Sequence, residues 1–287
     1  MRILETTVSS PTTIDEAWTM WKSYEEPITF IAGGTFLQTK WEKGVAVPSK
    51  MLHLGDVLEY KQIYMDTERQ IHIGSFVKLA ECKNHPLIAK TLPQLSQTIE
   101  KIAAPAVRNL GTIGGNIANC VGDTIPLLLA LDAEILYLNK EGRQRIDLQD
   151  WFEITECSII LEVIITLDDE EKSYLFTKKI GRREAFSASV VTLAGKLTVK
   201  GNQLCKVRIA AGGGETQPSR LRNVENILQH DQIIDSNVLK RVYQALMTEY
   251  QPVEDVFYSS NYRLKVASNL LISELEKWRG EYGGLYK

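Results

Sequence analysis

Two glycine-rich stretches hold the residues whose types and spacing could do chemistry. "TFIAGGTFLQTKW" (29–41) runs an apolar segment into Gly33-Gly34 and Thr35. "RNLGTIGGNIANCVGD" (108–123) sets Gly111, Gly114 and Gly115 among Thr112, Asn116 and Asp123. Consecutive glycines let backbone N–H groups line a concavity without β-carbons in the way, and such concavities attract anions, phosphate above all. Neither loop has the Lys-Ser/Thr ending of a Walker loop, and neither opens a long helix with Gly-x-Gly-x-x-Gly. The residues alone leave two readings open: a grip on a phosphate-bearing cofactor from two sides, or a pair of structural turns.

The other chemical candidates are sparse. Cys82, Cys120, Cys157 and Cys205 lie far apart, with no CxxC or Cys/His cluster, so neither a zinc site nor an iron–sulfur cluster is written here, and the four read as buried thiols. His53, His72, His85 and His230 show no metal spacing and read as core or surface residues, none catalytic.

The elements that must position these loops follow from periodicity. Thr13 and Glu16 form a capping box before "IDEAWTMW", where Ile14, Ala17, Trp18 and Trp21 recur at helical spacing. "ITFIAGG" reads as a buried strand entering a glycine turn, and 57–77 as a hairpin about Asp66 to Arg69. Leu92, Leu95, Ile99 and Ile102 mark a helix stopped before Pro105, and Asp123 is placed to cap the short helix that follows. A second hairpin turns at Glu141 and Gly142, followed by the strand "SIILEVIITL". The acidic "DDEEK" (168–172) marks a composition shift and a domain boundary. Beyond it come three strands, the last two joined through Gly201 and Asn202. Two helices follow, near 236–250 and 260–279, with Ser236 and Ser259 or Ser260 as caps, so the class is α+β.

Composition limits the partners. With 287 residues, 44% hydrophobic and 24% charged, the chain is globular and long enough for two domains. A net charge of −3 gives no basic patch for nucleic acid or a membrane surface. No signal peptide and no 18-residue apolar run is present, so the expected location is cytoplasmic, with no membrane span.

"FIAGGTFLQ", "IAAPAVRNLGTIGGN", "DTIPLLLALDAEI" and "KKIGRREAFSASVV" together resemble the FAD-binding subunit of the molybdenum hydroxylases, the xanthine dehydrogenase and carbon monoxide dehydrogenase family. The resemblance implies a two-subdomain FAD-binding domain of the vanillyl-alcohol-oxidase (PCMH) type over residues 1–171 (subdomains about 1–56 and 57–171). A smaller α+β C-terminal domain over 172–287 would follow. It implies FAD contacts from Ala32, Gly33, Gly34, Thr35, Phe36, Ile102, Thr112, Ile113, Gly114, Gly115 and Asn116, with glycine at the loops because a β-carbon would hold the phosphates off. Asp123 would accept a hydrogen bond near the ribose or adenine, and Lys178, or the adjacent Lys179, would place a cation beside the flavin. Two departures stand out: Phe36 replaces a polar residue, and Asn116 to Asp123 spans seven residues where nine are usual.

The implied function is an electron-transfer subunit of an oxidoreductase. FAD would receive electrons from [2Fe–2S] clusters on an iron–sulfur subunit and pass them to NAD or another acceptor, while a molybdenum-cofactor subunit hydroxylates the substrate. Arg108 and Lys178 would belong to the surface that docks the iron–sulfur subunit. A self-contained flavin oxidase and an FAD-less binding scaffold are the alternatives.

Overall fold

The computed structural model describes residues 6–167, 172–183, 188–200, 203–231 and 234–282. The expected acidic boundary turn at 168–171, the Gly201-Asn202 turn and Glu184 lie outside the described residues. The chain forms two compact units. The first comprises residues 1–92, 104–119 and 134–165, and the second 93–103, 120–133 and 166–287.

The first unit opens with β1 (Thr7–Ser9), α1 (Ile14–Ser23), β2 (Thr29–Ile31), α2 (Thr35–Glu42) and β3 (Lys50–His53). The three strands form a parallel sheet in the order β1-β3-β2. The expected cap of α1 is present: Glu16 N–H donates to Thr13 Oγ1 at 3.1 Å. The Glu16 carboxylate returns to the Thr12 amide at 2.8 Å, one residue before the cap. Trp21 is buried, while Trp18 is half-buried and donates its indole N–H to the Asn139 carbonyl.

Next come β4 (Ile63–Met65), β5 (Gln70–Gly74), α3 (Leu79–Asn84) and α4 (Pro86–Thr91). The chain then enters the second unit for α5 (Pro93–Glu100) and returns for α6 (Pro105–Arg108) and α7 (Ile113–Ala118). The helix expected from Leu92 to Ile102 is therefore shorter: Pro93 lacks the N–H to continue α4, so Leu92 ends α4 and Pro93 restarts the chain as α5. α8 (Ile125–Ala130) belongs to the second unit, whereas β6 (Glu134–Asn139), β7 (Gly142–Asp147), α9 (Leu148–Trp151) and β8 (Ile159–Thr166) complete the first. There the five-stranded order is β4-β5-β8-β6-β7.

The second unit continues with β9 (Lys172–Gly181), β10 (Ser189–Lys200), β11 (Gln203–Gly213) and β12 (Thr216–Arg220), an antiparallel sheet in the order β12-β11-β10-β9. α10 (Arg222–His230), α11 (Ser236–Glu249) and α12 (Ser260–Tyr282) pack with it around a core that includes Val191, Leu193, Val242, Leu271 and Trp278. α8 also packs against β10 and β11, and all six of its residues are buried. Asp235, one residue before Ser236, caps α11 by accepting from the Asn237 and Val238 amides, and Ser259 accepts from Tyr262 N–H at the head of α12.

Candidate cofactor site

β2 ends at Ile31, and the chain turns through Gly33 and Gly34 into α2. Gly34 holds a φ of +68°, a left-handed conformation that costs an ordinary L-residue about 1 kcal/mol or more. This turn packs on the start of the second glycine stretch. A β-carbon on Gly33 would fall on the Leu110 carbonyl, and one on Gly111 would lie 3.3 Å from Thr35 Oγ1. The two stretches therefore meet within one compact unit.

Their donors differ in availability. The second loop has used its own: Ile113 N–H donates to the Val77 carbonyl (3.0 Å) and Gly114 N–H to the Ser75 carbonyl (2.9 Å). Gly115 N–H donates to Thr112 Oγ1 (3.0 Å) and Asn116 N–H to the Thr112 carbonyl (2.9 Å). In the first loop, the amides of Gly33, Gly34, Thr35, Phe36 and Leu37 have no hydrogen-bond acceptor among the described residues. They are the orphan donors of the α2 N-terminus and the turn before it, where the helix dipole adds positive potential. The amides without acceptors thus lie on the first loop, and the second packs behind it.

Close packing within the protein also asks for glycine here. At Gly114 a β-carbon would come within 2.6 Å of Ser75 Cβ and 2.9 Å of its carbonyl oxygen, and at Gly33 it would meet Leu110. The obstruction is the Leu110 backbone at Gly33 and both the side chain and the backbone of Ser75 at Gly114. Gly115 is different: it is exposed, and a β-carbon there would meet only Thr112 Oγ1, at 3.1 Å. Phe36 is half-buried, with the Lys40 ammonium 4.8 Å from its ring centre.

Ile102, Asp123 and Lys178 lie in the second unit. Asp123 does not cap α8: Thr124 holds that position, without a side-chain bond to the helix. The Asp123 carboxylate instead binds Lys179 Nζ at 2.8 Å, both side chains almost buried, and Lys179 also donates to the Lys101 carbonyl at 2.7 Å. Strand alternation explains the choice of lysine. Thr177 and Lys179 project from β9 toward Thr98, Lys101 and Asp123, whereas Tyr174 and Lys178 project toward Glu274 of α12. Asp123 and Lys179 are thus brought together, and Lys178 is not with them. The Glu274 carboxyl is nearly enclosed; burial alone would raise its pKa, but bonds from Lys277, Lys178 and Tyr174 outweigh that and hold it below the usual range. Arg108 is buried, which removes it from any docking surface.

Among the described residues, no group of His, Cys, Asp and Glu could hold a metal ion, and no helix is long and apolar enough to cross a membrane. Cys82 is buried, its thiol pushed up to about 12 by desolvation, whereas Cys157 is exposed, contrary to expectation.

Comparison with known proteins shows what the arrangement belongs to. The family model for the FAD binding domain in molybdopterin dehydrogenase matches residues 4–165, and that for the CO dehydrogenase flavoprotein C-terminal domain matches 176–277. The nicotinate dehydrogenase FAD-subunit of Eubacterium barkeri is 30% identical over 67% of this chain and 67% of its own. The nicotine 6-hydroxylase medium subunit of Paenarthrobacter nicotinovorans is 26% identical over 92% and 93%. Among solved structures, a carbon monoxide dehydrogenase chain from Hydrogenophaga pseudoflava superposes with a TM-score of 0.85 at 20% identity, covering 94% of this chain and 95% of that one.

The fold is therefore that of a two-domain α+β flavoprotein. The chain belongs to the family of FAD-binding medium subunits of molybdenum hydroxylase-type dehydrogenases, and it is an oxidoreductase subunit.

Proposed function

We propose that this chain is the electron-transfer subunit of its complex, standing between [2Fe–2S] clusters on one partner chain and a soluble acceptor such as NAD. A molybdenum-cofactor subunit would hydroxylate the substrate, and the assembly would be cytoplasmic. The observation that carries the reading is the run of five unbonded amides from Gly33 to Leu37 in a chain whose family binds FAD. When bound, FAD supplies the means to take electrons singly and deliver them as a pair.

In this reading the amides of Gly33, Gly34, Thr35 and Phe36 take the pyrophosphate, with Ala32 leading the chain into the turn. Thr112, Ile113 and Gly114 fix the brace behind it, and Gly115 and Asn116 line its open side. Ile102 and Asp123 stay proposed cofactor contacts on the family resemblance alone. For the cation beside the flavin both lysines stay proposed, Lys178 held by Glu274 at 3.1 Å and Lys179 held by Asp123 at 2.8 Å. The FAD-binding domain is taken as residues 1–171 and the C-terminal domain as 172–287.

The test is anaerobic, substrate-dependent flavin bleaching. The pure chain should stay oxidised in the presence of N-heterocyclic, purine and aldehyde substrates, and should bleach when iron–sulfur and molybdenum subunits are supplied. Rapid bleaching of the pure chain by an organic substrate would replace this reading with a self-contained oxidase.

A further inference from the structure

Apolar exposure in the second unit is concentrated on the loop before α12 and the first turn of that helix. Val253 is 52% exposed, Val256 91%, Phe257 61% and Tyr262 44%. This loop is firmly held. Asp255 Oδ1 accepts from the Phe257 and Tyr258 amides, and its Oδ2 pairs with Arg263, which is 1% exposed and also donates to the Val190 carbonyl. Asp255 N–H donates to the Tyr258 carbonyl, and Val253 N–H to Thr216 Oγ1. A buried arginine and four further bonds therefore keep the apolar side chains in water. A surface ordered in advance loses little entropy on binding, and aromatic and arginine side chains are where binding energy concentrates.

Charge defines what would cover it. The Arg182 guanidinium lies 3.2 Å from the centre of the Phe257 ring, and its N–H groups have no acceptor among the described residues. The Asp255 charge reaches Arg182, but the Asp255 oxygens bond to Arg263 and two amides and leave the Arg182 N–H groups free to take a further carboxylate. The complement is an apolar recess for Val256 and Phe257 with a carboxylate at its rim, which would bind Arg182 in place of water.

We propose that this knuckle docks a different chain of the same complex, one presenting such an acid-rimmed apolar recess. The inference rests on the subunit reading above. Glu254, exposed on the same loop, is the acid through which a second copy of this chain could compete for Arg182.

The experiment uses the FAD-loaded chain and its co-expressed iron–sulfur and molybdenum subunits, with assembly followed by sedimentation and by titration of the isolated chain against the partner chains. Phe257→Asp, Val256→Asp and Arg182→Glu should each weaken assembly about tenfold or more, and Arg182→Lys should do so by less. Flavin absorbance and thermal midpoint should match the parent chain, since these side chains are in water. Assembly within twofold of the parent for Phe257→Asp would overturn the proposal. So would a parent chain that assembles with neither subunit, or one that self-associates through this loop. A colourless parent chain would instead count against the flavin reading, which the absorbance measurement reports separately.

Discussion

Gly114 and Gly115 are neighbours in sequence, yet substitution of each should have a different effect. A methyl at Gly114 would press on Ser75 from 2.6 Å, and the Gly114 amide is bonded to the same residue. Gly114→Ala should therefore cost about 1–3 kcal/mol of stability through overpacking, read as a lower urea midpoint. Gly115→Ala meets only the Thr112 hydroxyl, which has to give by a few tenths of an ångström, so its midpoint should stay within about 0.5 kcal/mol of the parent while flavin affinity falls. If both variants lose stability equally, the second loop is not divided into a brace and an open side. This division was not legible in the sequence. "TIGGN" identifies a loop that brings backbones close together, but not which backbone approaches which glycine. That depends on Ser75 and Leu110, and no local pattern links Ser75 to Gly114, 39 residues on. Asp123 was misread for a related reason: a carboxylate just before an apolar helix has the local signature of a cap, while its partner Lys179 comes 56 residues later.

At the scale of elements, the sheet of the second unit is tied to α8 by one carboxylate. Asp132, just past α8, binds Arg208 Nε at 2.7 and 2.9 Å, Arg220 Nη1 at 2.7 Å and Lys206 Nζ at 3.0 Å. It sits at a φ of +50°, and Arg220 also pairs with buried Glu225. Burial disfavours the charged form of Asp132, but the bonds from Arg208 and Lys206 outweigh it and hold the carboxyl below its ordinary value. A depressed folded-state pKa gives stability that is complete above the unfolded value, about 4, and is lost as pH falls through the folded one. Asp132→Asn should therefore lower stability at neutral pH by about 2–4 kcal/mol and flatten the acid limb of the pH–stability curve below about pH 4. An unchanged acid limb would show that other carboxylates carry it. The strands here were legible because their alternation is long: β10 and β11 were expected almost at their observed bounds. α3, α4 and β12 were missed because they are short, and proline at 86, 93 and 218 interrupts the periods that mark longer elements.

Over the whole molecule, the path of the chain sets what a fragment can do. The second unit takes residues 93–103 and 120–133 from within the first family match, and α8 lies in the latter stretch. Residues 172–287 alone would expose the sheet surface that α8 covers and leave Arg208 and Arg220 without Asp132. That fragment should show strand and helix in far-UV circular dichroism but weak near-UV signal and a broad melt. A cooperative melt matching the intact chain would show that the borrowed segments are dispensable. Neither segment stands out by composition, so the sequence favoured a single boundary near 171.

The same path has a consequence during synthesis. All six residues of α8, Ile125 to Ala130, are buried, and the strands they pack against are made only at 189–213. At about 5–20 residues per second, this oily hexamer waits roughly 3 to 17 seconds on the ribosome for its cover. The whole stretch from residue 131 to residue 213 must be made before α8 is safe from aggregation. Yield in a heterologous host should therefore depend on translation speed and on chaperones that shield nascent chains.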